Sequence, residues 1–191
     1  MQQRLNTTEP SVLLWNYAVS VVQQWWRKAL PPPKGRVLDL GTGLGLCALC
    51  ASTYDECASV VATELRGPAL EALEHSIALN AEDGANRARV RVVDLEWGVG
   101  TTQQLEVEEP WDVVVCADCI YNRDLHAPLL KTLVHLMTRD RTTLLLAFER
   151  RGSEVDAFLE SAERELGPGL RHAHSILGPD ERGVEIWSLI R

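Results

Sequence analysis

The stretch Val37-Leu-Asp-Leu-Gly-Thr-Gly-Leu-Gly45 joins an apolar run to a turn with glycine at every second position. This pattern is typical of a β-strand that ends in a glycine loop and continues into a helix, predicted here over residues 46–52. Glycine allows positive φ and leaves room for a ligand beside the backbone. A dinucleotide fingerprint would need a third glycine at the position of Leu46. The loop therefore predicts a nucleoside-type cofactor and departs from the pyrophosphate-binding pattern.

Length and composition are those of an ordinary globular chain. The 191 residues, 46% hydrophobic and 24% charged, fit one domain over residues 1–191, with residues 1–33 as an N-terminal helix and lead-in. No window approaches the roughly 18 uninterrupted apolar residues of a membrane span, so no membrane partner is expected. Residues 1–6 lack the apolar core of a secretory signal, which favours the cytoplasm, with the nucleus as a second location. We expect a monomer.

The charge balance indicates which kind of partner the chain has. The net charge is −8, and the basic clusters are short, whereas a nucleic-acid-binding protein usually presents a basic face. An acidic surface better suits a cationic partner such as a lysine-bearing protein. On charge alone, we therefore do not expect nucleic acid to be a partner.

Five cysteines form two C-x-x-C pairs, Cys47/Cys50 and Cys116/Cys119, with Cys57 in addition. Four cysteines in two such pairs could hold zinc. However, the first pair lies in the helix after the glycine loop and Cys116 ends an apolar strand, where free cysteine acts as a small hydrophobe. The five histidines show no metal-like spacing. We therefore predict neither a metal site nor structural disulfides.

Strand and helix patterns alternate along the chain, which favours a parallel sheet covered on both faces. The sequence predicts an α/β fold: a Rossmann-like, seven-stranded, mostly parallel sheet with helices on both faces and a C-terminal antiparallel hairpin. The predicted strands cover residues 36–40, 59–63, 89–93, 112–117, 142–148, 171–177 and 185–190, and the predicted helices cover residues 11–29, 46–52, 68–80, 127–137 and 154–166.

Ligands of open α/β sheets lie outside the carboxyl ends of the strands. Glu64 ends the second strand, where an acidic side chain can accept both ribose hydroxyls; an exposed strand-end glutamate is the alternative. Asp39 either braces the loop amides or meets the amino group of a cofactor. Trp97 follows the third strand and could cover an adenine face, because aromatic rings supply large flat contact areas. A core tryptophan is the competing interpretation.

Asp118 and Tyr121 place a carboxylate and a phenol at the end of the fourth strand, beside the glycine loop. This pairing indicates substrate handling, and an exposed strand-end aspartate is the alternative. Glu149 and Arg150 follow the fifth strand at the same edge. The sequence contains neither a Gly-x-Ser-x-Gly elbow nor a Walker loop, so hydrolase and phosphotransferase functions have no support.

Four segments together resemble the seven-β-strand S-adenosylmethionine methyltransferases. More narrowly, their order and spacing are similar to the methyltransferase-like branch that modifies lysines of non-histone proteins, over about residues 12–150. The segments are Val37-Leu-Asp-Leu-Gly-Thr-Gly-Leu-Gly45, Ala62-Thr-Glu-Leu65, Leu95-Glu-Trp-Gly98 and Ala117-Asp-Cys-Ile-Tyr121.

The resemblance implies a cofactor, S-adenosylmethionine, and a role for each matching residue. Glu64 would bind the ribose, Trp97 and Ala117 would line the adenosine and methionine ends, and Asp118 and Tyr121 would lie at the target amine. The remaining cofactor-binding residues would be Trp15, Asp39, Gly41, Thr42, Gly43 and Gly45.

The resemblance thus implies an enzyme that methylates lysine in a protein substrate. Two alternatives stay open, a small-molecule or nucleic-acid methyltransferase and a non-catalytic methyltransferase-like binding protein. The Asp/Asn-Pro-Pro-Tyr pattern of amine N-methyltransferases is related to Asp118-Cys-Ile-Tyr121, but both prolines are missing. This difference argues against an adenine base as the methyl acceptor.

Overall fold

The computed structural model describes residues 16–80, 90–99, 105, 110–137, 142–150, 153–177 and 183–190. Each of the first two strands in this part of the chain is followed by a helix, as the sequence pattern predicts. The helices are α1 (Asn16–Trp26), α2 (Leu46–Ser52), α3 (Pro68–Asn80), α4 (His126–Leu136) and α5 (Ser153–Leu166). The strands are β1 (Gly35–Leu40), β2 (Cys57–Glu64), β3 (Val90–Asp94), β4 (Val113–Ala117), β5 (Thr143–Glu149), β6 (Arg171–Leu177) and β7 (Gly183–Ile190).

The seven strands form one sheet in the order β3-β2-β1-β4-β5-β7-β6. Neighbouring strands from β3 to β5 are parallel, while β7 runs antiparallel to both β5 and β6. The predicted fold class and the C-terminal hairpin are therefore confirmed. The strand order reverses between β1 and β4, and such a switch point opens a crevice at the carboxyl ends of the strands.

Two apolar cores lie on opposite faces of the sheet, because successive strand residues point to opposite sides. One core packs α1, α2 and α3 against the sheet and includes Trp25, Val37 and Leu73. The other packs α4 and α5 and includes Leu38 and Phe158. Helices cover both faces of the sheet, as predicted. The carboxyl ends of the parallel strands form an edge that lies between the two helix layers.

Helix α1 ends at Trp26, three residues before the end of the helix predicted over residues 11–29. Lys28 adopts a left-handed backbone conformation, with φ of 58°, and the amide of Ala29 donates to the carbonyl of Gln24 at 3.0 Å. A left-handed residue with this bonding is a common helix C-terminus. The first five residues of the predicted helix lie outside the described part of the chain.

The two cysteine pairs belong to different faces of the sheet. Cys47 is part of the α1–α2–α3 core, whereas Cys116 and Cys119 are part of the α4–α5 core. All five cysteines are free. Among the described residues, no group of three or more histidine, cysteine, aspartate or glutamate side chains is arranged to hold a metal ion. No helix in this part of the chain is long and apolar enough to cross a bilayer.

Candidate functional site

The glycine loop after β1 is held against the end of β2 by backbone hydrogen bonds. The Thr42 amide donates to the Thr63 carbonyl at 2.9 Å, and the Gly41 amide donates to the Thr63 hydroxyl at 3.3 Å. Gly41, Gly43 and Gly45 have φ of 64°, 60° and 83°. Residues that carry a side chain rarely adopt this left-handed backbone conformation. The conformation of the loop therefore explains why glycine occupies all three positions.

Asp39 braces this loop from inside the protein. Its Oδ2 accepts hydrogen bonds from the Ala48 amide at 2.9 Å and from the Thr42 hydroxyl. Burial raises the pKa of Asp39 to about 6, against the two hydrogen bonds, which lower it. The sequence predicts two roles for Asp39, and these two hydrogen bonds match the bracing role. One of them also engages the Thr42 hydroxyl.

Glu64 joins the end of β2 to the glycine loop. Its Oε2 accepts from the Gly43 amide at 2.9 Å, and its Oε1 accepts from the Leu65 amide at 3.0 Å. Burial raises the pKa of Glu64, and the two amide bonds oppose that shift. Each carboxylate oxygen carries two lone pairs, so Glu64 keeps the capacity to accept further hydrogen bonds from a ligand.

A cleft of about 430 Å³ opens beside Glu64, at the carboxyl ends of β1, β2 and β3. It brings together four residues that the sequence singled out: Gly41, Glu64, Trp97 and Tyr121. Its volume falls within the range of ordinary small-ligand sites, and its walls are mainly apolar, as such sites require. The remaining lining residues are Leu65, Arg66, Gly67, Pro68, Ala69, Leu95, Glu96, Leu125 and Pro128.

Trp97 is both a wall of the cleft and part of the core. Its ring packs against the α4–α5 core and also lies over Gly41, where an added Cβ would come within 2.8 Å of Trp97 Cζ2. The packing matches the core interpretation of Trp97, and its contact with an adenine face stays a prediction. The contact between the ring and the loop also explains the glycine at position 41, since any side chain there would displace the ring.

Gly45 has a packing role that the sequence pattern did not indicate. A Cβ at this position would lie 2.8 Å from Leu73 Cδ1 and 3.1 Å from Ile77 Cδ1, both on α3. The side of Gly45 that would carry a Cβ therefore faces α3. Gly45 supplies the close packing that a dinucleotide fingerprint assigns to a glycine one position later.

Asp118 begins the acceptor end of the site, which we define as the carboxyl ends of β4 and β5. It has φ of 63°, a left-handed conformation that aspartate tolerates better than most side chains. Its amide donates to the Ala147 carbonyl of β5 at 2.7 Å. The strand therefore turns sharply after the half-buried Ala117, and the turn directs the chain toward Tyr121.

Tyr121 lies where the cleft meets the acceptor end. It lines the cleft and is 57% exposed. Partial burial raises the pKa of its phenol, and electrostatic interactions with Cys119, Glu64 and Asp118 raise it further. Tyr121 is thus neutral at physiological pH and lies within electrostatic range of both carboxylates.

The cleft fits a nucleoside-type cofactor in shape and chemistry. The carboxylate of Glu64 can accept ribose hydroxyls, and Trp97 offers an aromatic ring to a base. Leu65, which is 53% exposed at the rim, adds an apolar surface that a bound base would cover. Sequence reasoning missed Leu65 and Pro68, because an apolar residue after a strand carries no periodic signal. Trp15 lies outside the described residues, so its predicted cofactor contact stays a prediction.

Comparison with known proteins places the chain in a family. A family model described as lysine methyltransferase matches residues 10–165. The chain belongs to the lysine methyltransferase family. METTL21A of Danio rerio, a protein N-lysine methyltransferase, is 35% identical over 156 residues, which are 82% of this chain and 66% of that protein. EEF2KMT of Homo sapiens, a protein-lysine N-methyltransferase, is 38% identical over 95 residues, which are 44% of this chain and 28% of that protein.

The chain spans less than two thirds of the length of these relatives. Solved structures support the fold over a larger share of this chain. A methyltransferase from Pyrococcus furiosus superposes with a TM-score of 0.70 at 19% identity, covering 95% of this chain and 86% of that one. The N-terminal domain of EvdMO1, crystallised with SAH bound, has a TM-score of 0.59 at 16% identity, covering 93% and 82%. The shared fold is that of Rossmann-like methyltransferases.

Proposed function

We propose that this protein is an S-adenosylmethionine-dependent methyltransferase that transfers methyl groups to lysine side chains of a non-histone protein. The observation that carries the proposal is a nucleoside-sized cleft that contains Glu64 and Trp97 and is also lined by Tyr121. The phenol of Tyr121 lies within electrostatic range of Asp118. Membership of the lysine methyltransferase family supports the same activity.

The positions of Glu64, Leu65 and Trp97 in the cleft support a cofactor role for each, and the role of Ala117 is proposed from the family resemblance. Glu64 would accept hydrogen bonds from the ribose, Trp97 and Leu65 would enclose the adenine, and Ala117 would line the methionine end. Asp39 would act indirectly, because its bonds to the Ala48 amide and the Thr42 hydroxyl fix the glycine loop. When bound, S-adenosylmethionine supplies a methyl group on a positively charged sulfur, which a neutral amine can displace in line.

The acceptor end would prepare the lysine for this reaction. Free lysine has a pKa of about 10.4, so it must lose a proton before it can attack. Desolvation and a neighbouring positive charge both lower the pKa of an amine. Asp118 would accept an N–H bond from the neutral amine and so orient its lone pair, and Tyr121 would wall the channel. Alignment of donor and acceptor supplies much of the rate in such a displacement.

Two measurements test the proposal. Titration calorimetry with S-adenosylmethionine should detect binding, and failure to bind would favour a non-catalytic methyltransferase-like protein. Incubation with methyl-labelled cofactor and heat-treated cell extract should then label material that protease removes and nuclease does not. Acid hydrolysis of the labelled protein should release methyllysine. Label that nuclease removes, or that stays in the small-molecule fraction, would contradict a protein substrate.

We also propose that the protein is a cytoplasmic monomer, with the nucleus as a second location. The five free cysteines suit a reducing compartment. The net charge of −8 suits an acceptor protein with a basic target segment and disfavours nucleic acid. Fractionation of cells that express the tagged protein, and light scattering of the purified protein, test the location and the oligomeric state.

A further inference from the structure

The buried face of helix α4 carries a hydroxyl among apolar side chains. The buried residues of this helix are four leucines and Thr132, and Thr132 is fully buried. A buried hydroxyl costs free energy unless it is hydrogen-bonded, and threonine is a weaker helix former than leucine. Neither the core nor the helix therefore explains why threonine occupies this position.

The hydroxyl of Thr132 bonds the turn that follows β3. Its oxygen accepts a hydrogen bond from the Gly98 amide at 2.8 Å. Because a peptide unit is planar, this bond fixes the peptide group that joins Trp97 to Gly98. Trp97 lines the cofactor cleft. A buried hydroxyl of α4 thus holds the backbone that carries one wall of that cleft.

Gly98 also packs directly on the first turn of α4. It has φ of 83°, and an added Cβ would lie 3.2 Å from Pro128 Cα and 3.3 Å from Pro128 Cβ. Pro128 itself lines the cleft. The close approach and the hydrogen bond to Thr132 together fix the turn against α4.

The other end of the turn is tied to β2. The Leu95 amide donates to the Glu64 carbonyl at 3.0 Å, two residues before Trp97. The backbone around Trp97 is therefore held from two sides, by the end of β2 and by Thr132 of α4. Loss of the Thr132 hydroxyl would remove the hydrogen bond on the α4 side.

We propose that Thr132 is a positioning residue whose hydroxyl holds the turn of Trp97 and so keeps the indole ring in place for the adenine of the cofactor. This inference rests on the proposed function and extends it. Thr132 is not among the residues that line the cleft, so it acts through Trp97. A turn that is loosened must be ordered again when the cofactor binds, and that ordering lowers affinity.

The test compares Thr132→Val, which keeps the shape and removes the hydroxyl, with Thr132→Ser, which keeps the hydroxyl. Calorimetry with S-adenosylmethionine should show binding about five- to tenfold weaker for Thr132→Val and within about twofold of wild type for Thr132→Ser. Methyl transfer to heat-treated cell extract should show a matching rise in KM for the cofactor, with the maximal rate nearly unchanged. Wild-type affinity in Thr132→Val would overturn the inference.

Thr142→Val is the matched control. Thr142 is also fully buried, and its hydroxyl donates to the Trp111 carbonyl at 2.7 Å. It directly precedes β5, at the amino ends of the parallel strands and so at the edge opposite the cleft. Both valine variants should lose thermal stability, but only Thr132→Val should lose cofactor affinity. An equal loss of affinity in both would indicate general loosening and overturn the inference.

A double-mutant cycle tests whether Thr132 acts through Trp97. With the ring removed by Trp97→Leu, the further change Thr132→Val should alter cofactor affinity by less than about twofold, because no ring is left to position. A full loss in that background would overturn the inference.

Gly98→Ala disturbs the same turn without changing α4, so it keeps the inference testable if Thr132→Val does not fold. The positive φ and the contact with Pro128 oppose a Cβ at this position, and cofactor binding should weaken by a similar factor. Wild-type affinity in Gly98→Ala would contradict the role of the turn. A wild-type protein that binds no cofactor would overturn both proposals, whereas one that binds it and labels no lysine would overturn the proposed acceptor alone.

Discussion

The cofactor end and the acceptor end of the site are built in contrasting ways. At the cofactor end, the carboxylates of Asp39 and Glu64 are bonded to backbone amides of the chain that follows β1 and β2. At the acceptor end, Tyr121 is 57% exposed and Asp118 lies in a left-handed turn. The first end is fixed by hydrogen bonds within the protein, whereas the second exposes the Tyr121 side chain to solvent. Each prediction below tests one side of this contrast.

The largest effect is expected at the acceptor end. Asp118→Ala should lower the rate of methyl transfer by at least about a hundredfold, because the amine loses the group that orients it. Cofactor affinity should stay within a few fold, since the cleft lies on the other side of the glycine loop. The measurements are labelled methyl transfer to extract protein and calorimetry with S-adenosylmethionine.

Two variants accompany this experiment. Asp118→Asn tolerates the left-handed backbone and removes the charge, so it separates chemistry from backbone strain. Asp124→Ala changes an exposed aspartate in the following turn and should have no effect. Normal methylation by both Asp118 variants would show that the acceptor end does not depend on this residue.

At the cofactor end, Glu64→Ala should weaken S-adenosylmethionine binding by about 10- to 100-fold, as expected for lost hydrogen bonds to a charged group. The variant also releases the Gly43 amide and so loosens the loop. Calorimetry measures the change. Glu71→Ala, on the solvent side of α3, is the control and should bind normally. An affinity that stays within twofold for Glu64→Ala would contradict a ribose-binding role.

Asp39 makes folding stability depend on pH. Its pKa rises from 3.8 to about 6 on folding because of burial, so the folded state holds the proton more tightly. The resulting contribution to the free energy of unfolding is fully present below pH 3.8 and is lost as pH rises through about 6. At 1.36 kcal/mol per pKa unit, the loss is roughly 2 to 3 kcal/mol.

Asp39→Asn isolates this contribution, because asparagine does not titrate. Urea unfolding of both proteins over a pH series should show the wild type losing stability relative to Asp39→Asn as pH rises. A stability difference that does not change with pH would mean that Asp39 keeps an ordinary pKa in the folded state.

The smallest effect concerns the contact between the loop and Trp97. Gly41→Ala combines a positive φ with a Cβ only 2.8 Å from the ring of Trp97. Gly167→Ala also has a positive φ, but nothing lies within 4 Å of its Cβ. Gly41→Ala should therefore destabilise the protein by about 1 kcal/mol more than Gly167→Ala. Equal losses of stability for the two variants in thermal unfolding would show that the Trp97 ring moves aside at no energetic cost.

Much of the arrangement of the site could be predicted from the sequence, because the strand order of a parallel sheet fixes which residues share an edge. Parallel strands bring their carboxyl ends to one edge, so Glu64, Trp97 and Tyr121, which line the cleft, could be grouped from strand positions alone. The packing of Gly45 against α3 and the apolar rim at Leu65 could not be predicted. These contacts depend on how helices and loops pack on the sheet, and no periodic pattern of the sequence encodes that packing.

The sequence by itself determined the fold class, the glycine loop and the strand-end residues, because each follows from local backbone preference and from hydrophobic period. Only the tertiary structure decided that Asp39 bonds the start of α2, that Trp97 lies over Gly41, and that the Tyr17 hydroxyl donates to Glu149. Such contacts join side chains from separate elements. They form only when packing of the two cores fixes those elements in space.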